Sequence, residues 1–321
     1  IMSALGNKIL RSAETILASN SAVRLLGAIG KPVSPKELRA ALQNGLVKME
    51  RNGLVSESPV SAALDSDQHH SMLQPVLNTR DAAHPLALVQ SQWTHPGLAN
   101  RRDNLIDAEV EHSELAHSIL RHHMRNLGIA CAQWQGSGAP SPRLAFSLTA
   151  AHLQDRGLAD WARTIGARFA LPPDRIIFLI DERSLVSPSG PRMVNALADA
   201  GFGVGIHHYG EGDTAIGTMQ SLPIDVVVTA PSLAARMDAS FEARMLLEST
   251  LRISDMLKVE SVAAGVDTDS VRHDLQTMGY TQLTGHAVSP PLSTDAYRNW
   301  LTSRSGSTDN AGAPVQAGKA A

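Results

Sequence analysis

Cysteine is almost absent: Cys131 stands alone in 321 residues. One thiol cannot close an internal disulfide, which excludes a disulfide-stapled scaffold and fits a reducing, cytoplasmic setting. It lies in an apolar helical stretch, where a thiol packs as a small hydrophobe rather than acting as a nucleophile. Aromatic residues make up only 4% of the chain, so any core must be built from Leu, Val, Ile, Ala and Met. Excess positive charge is missing too. Lys and Arg number 28 against 31 Asp and Glu, the net charge is −3, and no basic stripe appears. That excludes a nucleic-acid surface, which needs clustered cations to neutralise phosphates. No apolar run approaches the roughly 20 residues that cross a bilayer, and no signal peptide is visible. No glycine-rich phosphate fingerprint follows any strand-like segment.

What is present is a 43% hydrophobic chain with alternating strand-like and helix-like segments. Residues 1–44 read as strand, helix, strand, helix. Apolar residues fill 1–4 and 23–29, helical spacing runs over 7–18, and Ser34-Pro35 caps a helix reaching Leu42. Residues 45–71 are polar and irregular and are expected to form a linker, with a short helix around Lys48. The tail, 303–321, is rich in Ser, Gly, Ala and Thr and is expected to be disordered. Between them lie strand-like segments at 72–76, 86–93, 143–148, 175–181, 203–209, 224–229, 259–265 and 281–285. Intervening helices are well marked: Leu158, Trp161, Ile165 and Phe169 share one face, and Gly279 ends a helix carrying Val271, Leu275 and Met278. Strands alternating with helices predict a closed β/α barrel over 72–302, with an open doubly wound sheet as the rival.

Two resemblances sharpen this. Ile1-Met2-Ser3-Ala4, a helix, then Leu26-Gly27-Ala28-Ile29-Gly30-Lys31-Pro32-Val33 resembles the second half of a response-regulator receiver domain. The resemblance implies that Ser3 senses and Lys31 contacts a phosphoryl group, whose acceptor aspartate would precede Ile1. The larger segment is similar to the EAL domains, which linearise cyclic di-GMP. The motifs occur in order: Gln74-Pro75, Trp93, Ser147-Leu148-Thr149-Ala150, Leu171-Pro172-Pro173-Asp174-Arg175, Tyr209-Gly210-Glu211-Gly212, Leu222-Pro223-Ile224-Asp225, Val262-Ala263-Ala264-Gly265-Val266-Asp267, and Gly285 through Ser289-Pro290-Pro291-Leu292.

The family's hydrolysis uses two divalent cations to activate water and neutralise phosphate charge, and hard cations need oxygen ligands. The resemblance implies that those oxygens have been lost here. Leu88 stands for the signature glutamate, Gln92 for its arginine, Ser147 for an asparagine ligand and Leu179 for another glutamate. His207 and His208 replace paired aspartates, Val228 a lysine, Ala230 an aspartate, Ala264 a glutamate and Thr284 a glutamine. Glu182 remains, Asp267 is a conservative replacement, and Gln74 keeps a guanine-facing amide. Glu182 and Asp267 are expected to order loops or to pair with each other, His207 or Arg183.

Adjacent strand residues point to opposite faces, so one of His207 and His208 is expected in the mouth and the other outside it. His112, His117, His122 and His123 are read as the solvated face of a helix over 108–134. The Gly201–Gly212 stretch reads as turns around a buried strand rather than a phosphate site. The resulting expectation is a non-catalytic regulator with no metal and no cofactor. It would act through protein contacts with pathway partners or as a homodimer, the latter implied by EAL domains, which commonly pair. Cyclic di-GMP would bind weakly or not at all. The alternatives are a metal-free nucleotide receptor and a residual phosphodiesterase.

Overall fold

The computed structural model describes residues 2–3, 29–30, 63–64, 66, 68–81, 85–94, 115–136, 141–212 and 216–305. It divides into two units, 1–62 and 63–321. In the first, β1 (Met2–Ser3) and β2 (Ile29–Gly30) pair in parallel. The expected helices over 7–18 and 34–42, Lys31 and the stretch around Lys48 lie outside the described residues.

The second unit is a closed eight-stranded barrel. Its strands are β3 (His69–Asn78), β4 (Leu86–Trp93), β5 (Arg143–Leu148), β6 (Ile176–Asp181), β7 (Gly203–Tyr209), β8 (Val226–Thr229), β9 (Glu260–Ala263) and β10 (Gln282–Leu283). The helices are α1 (Leu115–Gly136), α2 (Ala150–Gln154), α3 (Leu158–Arg168), α4 (Ser189–Asp199), α5 (Ile216–Ser221), α6 (Pro231–Arg236), α7 (Phe241–Leu257), α8 (Asp269–Met278) and α9 (Thr294–Ser305). The open-sheet rival is thereby excluded. None of the helices among the described residues is long and apolar enough to cross a membrane.

Strand β3 runs antiparallel to both neighbours, β4 and β10. Only a short connection separates β3 from β4, too short for the crossover that a parallel pair requires. Every later neighbour pair is parallel. Two domain boundaries move from expectation, besides shifts of one or two residues at strand ends. β3 begins at His69, three residues inside the expected linker, because His69 is fully buried against the barrel wall. α9 continues to Ser305, past the expected start of the tail.

Helix ends follow local chemistry. Ser240 and Thr268 cap α7 and α8 by accepting from the backbone N–H of Ala243 and Val271. Gly279 ends α8 at φ +115°, where a side chain would be strained. Strand alternation then sorts the side chains. Leu144, Phe146, Phe178, Ile180, Val204 and Ile206 pack with Met124, Leu127, Leu158, Val194 and Leu197 in the layer between barrel and helices. Cys131 lies in that layer, and burial pushes its thiol up to about 11. The other strand face fills the barrel with Val76, Leu86, Leu88, Ala145, Ile177, Leu179, Val226, Val228, Val262 and Ala264. At one end Arg143 donates twice to Glu260, at 2.8 and 2.7 Å, and Gln282 donates to the same carboxylate at 2.8 Å.

Candidate functional site

The site candidates lie toward the carboxyl ends of the parallel strands, where βα loops form the mouth of such barrels. Leu88, Leu179, Val228 and Ala264 come from four strands or their ends and pack in one apolar cluster. All four are buried. Gly205 makes room for Leu179: a Cβ there would stand 2.6 Å from Leu179 Cδ2. Ala264 contributes only its backbone N–H, which donates to Thr229 Oγ1 at 3.1 Å.

Polar groups ring this cluster. Ser147 Oγ and His207 Nδ1 are 3.4 Å apart across two strands. Gln92 is exposed on the rim. Thr284 is buried and donates its hydroxyl to the Pro75 carbonyl at 2.9 Å. Gln74 is buried as well, and its amide donates to the Ser289 carbonyl at 2.7 Å, so its N–H faces protein rather than open mouth.

His207 and His208 depart from the strand alternation. Their rings stack with centroids 3.8 Å apart and planes at 20°. The cause is the backbone: His208 adopts φ +55°, and the pairing of β7 with β8 shifts register between Ile206 and Tyr209. A left-handed residue turns its side chain away from the pleat direction, which corrects the expectation of opposite faces. His208 Nδ1 meets Asp181 Oδ2 at 3.0 Å, and the Arg183 guanidinium donates to both Asp181 oxygens at 2.8 Å. Burial opposes the Asp181 charge, but hydrogen bonds from Arg183 and His208 outweigh it and hold the carboxyl well below the usual range. His207 is pushed down to about 3, first by desolvation and then by His208, with Asp181 acting in the opposite sense.

Glu182 is 2% exposed, and one of its oxygens accepts from the backbone N–H groups of Gly210 and Gly212, each at 2.8 Å. It therefore ties down the backbone at Gly210 and Gly212, just after β7. Asp267 accepts from the backbone and ring of His286, so the expected Glu182–Asp267 pair does not form. Asp181, the organiser of this rim, was not singled out from sequence. Its signal was a carboxylate ending a barrel strand directly before Glu182. Among the described residues no three His, Cys, Asp or Glu side chains are grouped to hold a metal ion.

A second polar centre lies on the outer side of the wall, and it corrects the solvated-face reading of α1. His123 is buried: its Nδ1 meets Ser71 Oγ at 2.8 Å and its Nε2 meets Ser91 Oγ at 3.1 Å. His117 Nε2 meets Asp155 Oδ2 at 3.0 Å, with its ring 4.6 Å from that of buried His152. The helix turns this part of its polar stripe inward because Ser71, Ser91 and Asp155 supply partners. His112 lies outside the described residues.

Comparison with known proteins agrees with the barrel. The chain is 23% identical over 301 residues to Cyclic di-GMP phosphodiesterase RocR of Pseudomonas aeruginosa, covering 91% of this chain and 76% of that protein. It is 23% identical over 217 residues to Cyclic di-GMP phosphodiesterase PA2567 of the same species, covering 65% of this chain but only 36% of that longer protein. Among solved structures, the FimX EAL domain from Pseudomonas aeruginosa bound to c-di-GMP superposes with a TM-score of 0.62 at 19% identity, over 74% of this chain and 97% of that one. Residues 58–291 match the EAL domain, so the chain belongs to the EAL domain family of cyclic di-GMP signalling proteins.

Proposed function

We propose that this chain is a non-catalytic EAL domain protein that regulates cyclic di-GMP or two-component signalling through protein contacts of its barrel. One observation carries the reading: Leu88, Leu179, Val228 and Ala264 form a closed apolar cluster at the positions where the resemblance sets charged groups. Side chains without oxygen cannot ligate Mg²⁺ or Mn²⁺, and imidazole at His207 and His208 is a poor partner for Mg²⁺. The residues present therefore do not fit the two-ion centre of the family's hydrolysis. His207 and His208 are instead engaged with each other, Ser147 and Asp181.

The same reading assigns residues 1–44 to a receiver-like element and 45–71 to its linker, with the barrel now starting inside that span at His69. The parallel pairing of Met2–Ser3 with Ile29–Gly30 supports a β-α-β order, with Ser3 ending its first strand. No step of phosphotransfer follows from these residues alone.

The test is a hydrolysis assay and a binding titration of purified chain with cyclic di-GMP, with Mg²⁺ and with Mn²⁺. The expected result is no linear product and no saturable binding. Binding without turnover would convert the reading to a metal-free receptor, a possibility raised by the c-di-GMP-bound FimX EAL domain. Linear product that disappears with a chelator would overturn the reading.

A further inference from the structure

His69 begins β3 with its side chain on the outer face of the barrel and fully buried. Its ring lies 4.3 Å from Trp93, 4.7 Å from His122 and 4.8 Å from His123, measured between centroids. His69 Nε2 meets Ser91 Oγ at 2.9 Å, and Ser91 Oγ continues to His123 Nε2 at 3.1 Å. His123 Nδ1 closes on Ser71 Oγ at 2.8 Å. A four-member hydrogen-bonded chain, His69–Ser91–His123–Ser71, thus joins β3 and β4 to α1. His69 Nδ1 is buried with no hydrogen-bond partner.

Proton counting decides what this chain tolerates. With both rings neutral, each imidazole has one N–H and one acceptor nitrogen, and each serine hydroxyl can donate once and accept. The chain is then satisfied in either direction, leaving only His69 Nδ1 unmatched. Adding a proton to His69 puts a cation in an apolar wall with a buried N–H that has no acceptor. Adding one to His123 forces both serines to accept.

Among the described residues nothing compensates such a charge. His122 on α1 repels a cation on either ring, and exposed His70, next along β3, repels one on His69. Strand β4 carries no ionisable side chain. On α1, Arg121 reaches toward Trp161 of α3 and Arg125 is exposed. Helix α9 meets this side of the barrel at its other end, where Tyr297 donates to the Leu86 carbonyl and stacks on Trp134. Among the described residues neither His69 nor His123 has a carboxylate partner.

We propose that the seat of α1 on β3 and β4 is a proton-gated latch, held closed by neutral His69 and His123, whose opening becomes progressively easier as the medium acidifies below the ordinary histidine range. Release would free the barrel wall beside Trp93 and Gln92 at the rim, coupling acidity to the shape of the mouth. The latch does not depend on whether the barrel is catalytic.

The experiment is hydrogen exchange of the full chain between pH 7.5 and 5.0, corrected for intrinsic rates and read on α1 against β5–β8. Opening of α1 should rise up to about a hundredfold per pH unit, tenfold for each histidine that gains a proton on opening. His69→Phe, which keeps a ring against Trp93, should reduce that slope to about tenfold. If the variant fails to fold, histidine ring NMR on the unaltered protein decides. The resonances of His69 and His123 should stay neutral until α1 loses protection, then change with it. Independent titration near pH 6.5 with α1 still protected would overturn the proposal. So would identical opening free energies for α1 and β5–β8 at every pH, which mark global unfolding rather than release of one helix.

Discussion

His207 and His208 are consecutive on a strand, yet their rings stack 3.8 Å apart, because His208 sits at φ +55° and hydrogen-bonds Asp181. The left-handed turn is thus tied to a specific side-chain partner. His208→Val should lower stability by about 1–3 kcal/mol, since a β-branched residue is strained there and the Asp181 contact is lost. His208→Asn, which tolerates this backbone, should cost about 1 kcal/mol or less. Urea unfolding of the two variants would separate them; equal losses would show that the backbone conformation is not the constraint.

Leu88→Glu introduces the family's signature carboxylate into a closed apolar cluster. We expect no turnover from this single change and a stability loss of about 3 kcal/mol or more at pH 7. Burial raises the pKa of such a glutamate. A raised carboxyl pKa means that stability falls as pH rises above the unfolded value near 4.3. The deficit relative to the unaltered chain should therefore be larger at pH 7.5 than at pH 5, as denaturant titrations would reveal.

Glu182 holds the N–H groups of Gly210 and Gly212 from a nearly closed site. Glu182→Gln keeps an acceptor and should cost about 1 kcal/mol, whereas Glu182→Ala removes the charged acceptor from both half-buried donors and should cost about 2–3 kcal/mol. Amide exchange at 210 and 212 should quicken in the alanine variant before the rest of the barrel does. Unchanged exchange at these two glycines would show that Glu182 does not order the loop.

Arg143 and Glu260 form a two-bond pair, with side chains 22% and 35% exposed. Burial disfavours the Glu260 charge, but hydrogen bonds from Arg143 and Gln282 overcome it and lower its pKa. Allowing for partial solvent screening, a double-mutant cycle with Arg143→Met and Glu260→Gln should give a coupling of about 1–2 kcal/mol. A coupling near zero would assign the end of the barrel to packing alone.

Acid sensitivity has a definite sign. Asp181 and Glu260 have lowered carboxyl pKa values, so the stability they add is present above the unfolded carboxylate range and is lost as pH falls. His69 and His123, held down to about 2 and about 3, are neutral in the fold, and stability falls once pH drops below their unfolded value of 6.5. All four act in the same direction. Thermal midpoints should fall from about pH 6.5 to pH 5, the two buried histidines approaching about 1.4 kcal/mol per pH unit each toward the acid end. A flat midpoint over that interval would refute the burial of neutral imidazoles.

The sequence by itself determined the barrel's wall. Alternating apolar segments separated by helical faces fix which residues face inward, because strand period and helix period differ. The spaced motifs around Ser147, Tyr209, Leu222 and Val262 then fix their order. The apolar character of positions 88, 179, 228 and 264 was also written there, since Leu and Val carry no oxygen wherever they fold. What only the tertiary structure decided were contacts that depend on direction. His207 and His208 came together through one left-handed residue, which strand periodicity cannot foresee. β3 began at His69, inside the expected linker rather than at Met72, and α1 turned His123 inward, because Ser71 and Ser91 on two strands meet it across the wall. A polar side chain reads as exposed until a distant residue supplies its partner, and closure of the chain alone determines which partner that is.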